Sequence, residues 1–291
     1  MAVYKKTYRP YEGGLTSRWM RVLVIPRYAF EDLHRSRFLT LFFIASFIYP
    51  LICALMIYVQ HNVSALGLVG VQGANRLIAI NVTFFMSVLG WQSMLALFLA
   101  SFIGPGQVSP DLANNALSLY LARPFSRLEY VLGKLSVLVI LMSLMTWVPG
   151  LLLFGLEGYL EGFGWMQDNA RLAFGLFAGA WIWISVLALL ALALSAWVKW
   201  KPAAGGLMFG VFFVGSAFGA VINAVQRTTW GNIFNIGHLV GVVWVQLFEG
   251  SNRTTNGAVF FRATAGEELP LWTCWMALAA LSLICLYMLA R

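Results

Sequence analysis

Charge is what this chain has least of. Asp, Glu, Lys and Arg make up 10% of its 291 residues, whereas soluble domains carry about 25%, which excludes an ordinary water-soluble globule. Cysteine is nearly absent as well. Cys53, Cys274 and Cys285 each lie in an apolar run, with no Cys-x-x-Cys spacing. A disulfide framework or thiolate metal centre is therefore not expected, and the three read as small buried hydrophobes. His34, His61 and His238 fall in three separate regions without ligand spacing, and no His-Glu-x-x-His occurs, so neither a metal site nor a zinc protease is expected. There is no Gly-x-x-x-x-Gly-Lys-Ser/Thr to cradle nucleotide phosphates, and no Ser, His and acid converge on one segment. The chain reads as a non-enzyme that binds no cofactor of its own.

What is present is apolar length. The chain is 60% hydrophobic, with a mean hydropathy of +0.79. A span needs about 20 apolar residues, and six such runs are found at 38–59, 80–103, 131–155, 171–198, 203–225 and 271–290. The fold expected is an all-α polytopic membrane protein with six transmembrane helices. The first run starts near Phe38 after eight Lys and Arg, and so reads as a retained span rather than a cleaved leader. Residues 18–37 mix Trp19, Val22, Leu23, Phe30 and Leu33 with arginines around Pro26, which suits an N-terminal amphipathic helix lying in the membrane interface and kinked at Pro26; an irregular basic lead-in is the alternative. Ile233–Phe248 is apolar but too short for an ordinary span, and is expected to form a re-entrant external helix before the last span; a seventh span is the competing reading.

The net charge of +8 raises the question of nucleic acid, but the basic residues flank apolar runs instead of forming a basic surface. Fourteen of the nineteen lie on one side of the six-span plan: the eight before span one, Arg123, Arg127 and Lys134 between spans two and three, Lys199 and Lys201 between four and five, and Arg291. Arg76, Arg171, Arg227, Arg253 and Arg262 lie on the other. By the positive-inside rule both termini and the 104–134 loop face the cytoplasm. The spans hold essentially no charge away from their ends, unlike proton- or ion-coupled carriers. Glu157, Glu161 and Asp168 read as solvated loop carboxylates, with a cation site as the alternative.

The 104–134 loop is the one sharply patterned polar stretch. Ser109-Pro110-Asp111 predicts a helix start, with Ser109 as N-cap, Pro110 in the first helical position and Asp111 complementing the dipole. That helix should run to about Ala122, since Pro124 pushes Arg123 out of helical geometry. Ser126-Arg127-Leu128-Glu129 predicts a capping box starting a second helix that continues into span three. Leu117, Leu119, Tyr120 and Leu121 crowd the end of the first helix on more than one face. Such a patch needs a cover, either the membrane surface or another protein, and a partner's groove suits it, with Arg123, Arg127 and Glu129 at the rim. Glycines add a packing signal: Gly206-x-x-x-Gly210 and Gly215-x-x-x-Gly219 in span five, and Gly175-x-x-x-Gly179 in span four, admit close helix approach within the chain or across a dimer. Pro149-Gly150 predicts a kink in span three.

The run Gly-Pro-Gly-x-Val-Ser-Pro-Asp-Leu-x-Asn-Asn-Ala-Leu-x-Leu-Tyr-Leu-x-Arg-Pro-x-Ser-Arg-x-Glu-Tyr-x-x-Gly-Lys resembles the loop between spans two and three of bacterial type-2 permeases of ATP-binding cassette (ABC) exporters. The six-span plan, interfacial helix and re-entrant segment are similar to that family too, although no large external domain is present. The resemblance implies a coupling helix over Asp111–Tyr120 that docks on a separate ATPase subunit, with Arg123, Pro124 and Glu129 as its return. The docking set is then Asp111, Asn115, Leu117, Leu119, Tyr120, Leu121, Arg123, Pro124, Arg127 and Glu129. It further implies ATP and Mg on the partner ATPase, a second permease copy or paralogue, the bacterial cytoplasmic (inner) membrane, and export of a substrate. The apolar, aromatic-rich wall suits an amphipathic or lipid-like one. A non-transporting structural or assembly subunit is the alternative.

Overall fold

An apolar chain in lipid must satisfy its backbone hydrogen bonds internally, and helices do this segment by segment. In a computed structural model that describes residues 28, 36–62, 80–115, 126–249 and 269–290, all regular structure among the described residues is helical. The elements are α1 (Arg37–Ala45), α2 (Ile48–His61), α3 (Val82–Ile103), α4 (Pro105–Ala113), α5 (Arg127–Met145), α6 (Trp147–Glu161), α7 (Phe163–Asp168), α8 (Ala170–Trp197), α9 (Lys201–Gln226), a 3-10 turn (Trp230–Phe234), α10 (Ile236–Glu249) and α11 (Leu271–Ala290). They compose six helices long and apolar enough to cross a membrane: Arg37–His61, Val82–Ala113, Arg127–Glu161, Ala170–Trp197, Lys201–Gln226 and Leu271–Ala290. The sequence-predicted spans match these in number and order. The N-terminal interfacial helix falls outside the described residues.

Three spans are interrupted, each for a visible reason. Span one breaks at Ser46, whose hydroxyl turns back to the Phe43 carbonyl while its own carbonyl accepts the buried Gln92 amide at 3.0 Å. Span two bends at Gly104-Pro105, because Pro105 has no N–H for the carbonyl of Ser101. Span three breaks at Thr146, with Pro149 in the next turn unable to donate to Met145. The kink predicted at Pro149-Gly150 thus lies at Thr146-Trp147, about one turn earlier.

Span four is the axis of the bundle. α8 packs against α3, α4, α5, α6, α9, α10 and α11, and Trp183 at its middle is fully buried. The Trp183 indole N–H donates to the Ser93 carbonyl at 2.9 Å, and its ring meets Phe212 and Trp244 edge-on. Spans one, five and six are peripheral, with long apolar faces left exposed (Leu51, Leu55, Val214, Val221, Leu283). That is the pattern of helices facing hydrocarbon or another membrane subunit.

Two ends of the bundle can be told apart. One, the loop end, gathers α4, the start of α5, the α8–α9 connection and the end of α11, where the Trp197 indole donates to the Met288 carbonyl. The opposite end gathers His61, the end of α6, the start of α8 and the end of α9. From the opposite end, residues 227–249 make a hairpin into the bundle. Its descending arm runs along α9: the Gly231 N–H donates to Asn223, Gly219 abuts the Gly231 carbonyl, and a Cβ at Gly215 would lie 2.8 Å from the Phe234 carbonyl. From Gln226 down to Gly215 that is about 16 Å of helix. The returning arm, α10, runs antiparallel to α8. The Trp244 indole donates to the Gly179 carbonyl at 2.9 Å, and Phe248 fills the notch left by Gly175. The Arg171 guanidinium closes the last turn, donating to the carbonyls of Gln246 and Leu247 at 3.0 Å each, where a cation complements a helix C-terminus. The segment enters and leaves by one end, which a seventh crossing would not do.

Candidate functional site

The described parts of the 104–134 loop are its two arms, 104–115 and 126–134, and both are bound firmly to the bundle. Gly104 sits where a Cβ would lie 2.6 Å from that of Ala191, so only glycine lets span two approach span four here. Beyond it, the start of α4 is bonded to a side chain of span four. Ser195 on α8 supplies the acceptor: its Oγ takes the N–H of Val108 at 3.0 Å and of Ser109 at 2.9 Å, and its hydroxyl donates to the Pro105 carbonyl at 3.0 Å. The buried Ser109 hydroxyl is within hydrogen-bond distance of the Ser195 carbonyl, at 3.0 Å, and of the Val198 carbonyl, at 2.6 Å.

This corrects the helix start expected at Ser109. The helix begins at Pro105, after Gly104; Pro110 lies inside it, and it ends at Ala113. Asn115 then takes a left-handed backbone, φ 52°, the usual exit from a helix. A single helix from Asp111 to Tyr120 is therefore not formed, since its first three residues are the last turn of α4. Asp111 stands at a helix C-terminus, where a carboxylate is unfavourable, and what offsets that is span three. The Tyr130 hydroxyl donates to Asp111 Oδ2 at 2.7 Å, and Lys134 Nζ lies 3.0 Å from the same oxygen. Tyr130 is buried, and the Asp111 and Lys134 side chains are 18% and 14% exposed. In a pair this enclosed, removing one partner leaves the other charge poorly solvated, so it costs more to break than a surface ion pair, which contributes about 0–1 kcal/mol.

The second arm starts as expected. The Ser126 N–H donates to Glu129 Oε2 at 2.8 Å and the Glu129 N–H to Ser126 Oγ at 3.2 Å, closing the capping box. Glu129 thus has a local task in starting α5. Arg127 is exposed at the tip of this arm. Beside it stands Leu128, 74% exposed, an apolar partner-facing candidate that no sequence signal singles out. Leu117, Leu119, Tyr120, Leu121, Arg123 and Pro124 lie outside the described residues. Asp111, bonded to Tyr130 and Lys134, holds the two described arms side by side.

The packing glycines divide. Gly215 and Gly219 meet the hairpin backbone, while a Cβ placed on Gly206 or Gly210 would meet nothing within 4 Å. In the first half of α9 the close contact is made by Gly205, where a Cβ would lie 2.8 Å from the Ser101 carbonyl that Pro105 leaves without an intrahelical donor. Gly210 instead lines an apolar groove of about 690 Å³ between α9, the hairpin and α11, walled by Leu207, Val211, Phe234, Leu239 and Ile284.

No protein-family model and no curated protein sequence matches this chain.

Proposed function

We propose that this chain is the membrane-spanning permease subunit of an ABC exporter, coupling ATP hydrolysis on a separate ATPase subunit to movement of a substrate across the membrane. The observation that carries the reading is the Asp111–Tyr130–Lys134 junction together with the Ser109–Ser195 bonds. They join the two described arms of the loop to spans two, three and four with short, largely buried hydrogen bonds. A push delivered there by a docked partner would move three spans at once. The exposed tip of Arg127 and Leu128 supports a surface met by another protein. In this reading the loop carries a coupling helix, the loop end is cytoplasmic, and the 227–249 hairpin is a re-entrant element on the external side. The exposed face of α9 around Gly206 and Phe213 fits a second permease copy or paralogue. The apolar groove beside it suits an amphipathic or lipid-like substrate, having no charged wall residue to recognise anything else.

Co-purification tests the docking. Solubilised chain should bring down an ATPase subunit, and Tyr120→Asp should release it; an unchanged complex would remove the docking claim. Asp111→Ala should leave the complex intact and its ATPase running while substrate movement falls. Movement that survives loss of hydrolysis on the partner would instead favour a non-pumping assembly subunit.

A further inference from the structure

The fold brings together three side chains that lie far apart in sequence. His61 ends α2, and Glu157 and Glu161 lie one turn apart at the end of α6. His61 Nε2 stands 3.4 Å from Glu161 Oε1 and 3.9 Å from Glu157 Oε1, and one ligand atom from each of the three residues falls within 4.8 Å of the others. The sequence places Glu157 in a solvated loop. It is instead helical, its side chain is 3% exposed, and its second oxygen, Oε2, has no hydrogen-bond partner. Asp168 is not part of the group.

The imidazole orientation identifies what this cluster is suited to hold. Nδ1 lies 3.0 Å from the Ile57 carbonyl, so in the neutral ring that nitrogen carries the proton and donates it. In that neutral ring Nε2 presents a lone pair toward the two carboxylates, and in the protonated ring it donates to them. Such a backbone-anchored imidazole is the arrangement in which His ligates metals. Two ligands bound about 2.0–2.1 Å from a tetrahedral ion sit about 3.4 Å apart, which is the His61–Glu161 separation, and the His61–Glu157 gap closes with a small adjustment. Among the described residues, His61 is the sole basic group within ion-pair distance of either glutamate. Two carboxylates, one of them buried, carry more negative charge than a single imidazole can neutralise, and a buried carboxylate without compensation is strongly disfavoured.

We infer that His61, Glu157 and Glu161 form a binding site for a divalent transition-metal ion of the zinc type at the end of the bundle opposite the 104–134 loop. His61 supplies Nε2 and each glutamate a carboxylate oxygen, with the unpartnered Glu157 Oε2 available for bidentate ligation. Three protein ligands leave a coordination position open, and Glu161 is 48% exposed. The ion would clip the peripheral span one to span three, where α2 rests on α6. The site stands independently of the transport reading.

The test is titration of the full-length chain alone, in nanodiscs after chelator treatment, with Zn2+ followed by calorimetry and Co2+ followed by visible absorption. One ion per chain is expected, with the visible bands of a low-coordinate Co2+ site that Zn2+ then abolishes. His61→Asn and Glu157→Gln should each weaken Zn2+ binding by roughly 10–100-fold or more. Glu161→Gln, a half-exposed position that the fold tolerates, should weaken it too, and Asp168→Asn should leave it unchanged. Absence of Zn2+ binding by the wild-type chain, or equal affinity and stoichiometry in the Glu161→Gln chain, overturns the site. Because no ATPase is present, either result leaves the docking reading untouched.

Discussion

The two ends of the bundle each hold a small polar knot, and they differ in whether the knot is complete. At the loop end Asp111 meets a lysine and a phenol, so that one carboxylate oxygen receives a charged and a neutral donor. At the opposite end two glutamates share one imidazole, and a buried oxygen is left over. A closed network of matched charge needs nothing further and serves to fasten helices. An open one of unmatched charge in a poorly solvated place is held at a cost, and the cost makes sense if a ligand supplies the missing charge. The contrast separates a mechanical joint from a binding site within one fold.

Three changes would sharpen or break that contrast. The largest effect is expected at Ser195. Ser195→Val strips the acceptor from two buried N–H groups at about 1–3 kcal/mol each, and should lower the thermal midpoint of the detergent-solubilised chain more than any surface change. Next is the Asp111–Lys134 pair. Asp111→Asn and Lys134→Met singly should each cost about 1–3 kcal/mol, between the values for exposed and fully buried pairs. A double-mutant cycle should show a positive coupling, and additive losses would mean the joint is not a pair at all. The smallest change should come from Glu157→Gln, and its sign is the informative part. In chelator-treated protein, removing a surplus buried charge should raise stability by about 1 kcal/mol, and under saturating Zn2+ the same substitution should lower it. Destabilisation under both conditions would make the opposite end another joint of the loop-end kind.

How far the sequence leads depends on the range of the force involved. The six long apolar runs are legible in number and order, because hydrocarbon imposes both length and apolarity. The Ser126–Glu129 box is legible too, since both its bonds lie within one turn. Ser109-Pro110-Asp111 carries the same kind of local signature, yet it misleads. Gly104-Pro105 has already started the helix, and Ser109 is claimed by Ser195, 86 positions away. The paired glycines of span five show the same limit. Gly206 and Gly215 are alike in sequence pattern, and only what lies opposite them distinguishes an open face from a backbone contact. His61 and Glu157 look isolated along the chain for the same reason, since nothing local links α2 to the end of α6.

The hairpin of residues 227–249 has a consequence for the order in which the molecule is assembled. At 14 residues, α10 is about 21 Å long, too short to be taken up by a bilayer as a crossing in its own right. Its buried contacts are with span four, through Gly175 and Gly179, and with span six, and its closing bond is to Arg171. The wall that receives it therefore exists only once spans four, five and six stand together. The hairpin is expected to seat late, after the crossings that wall it have come together.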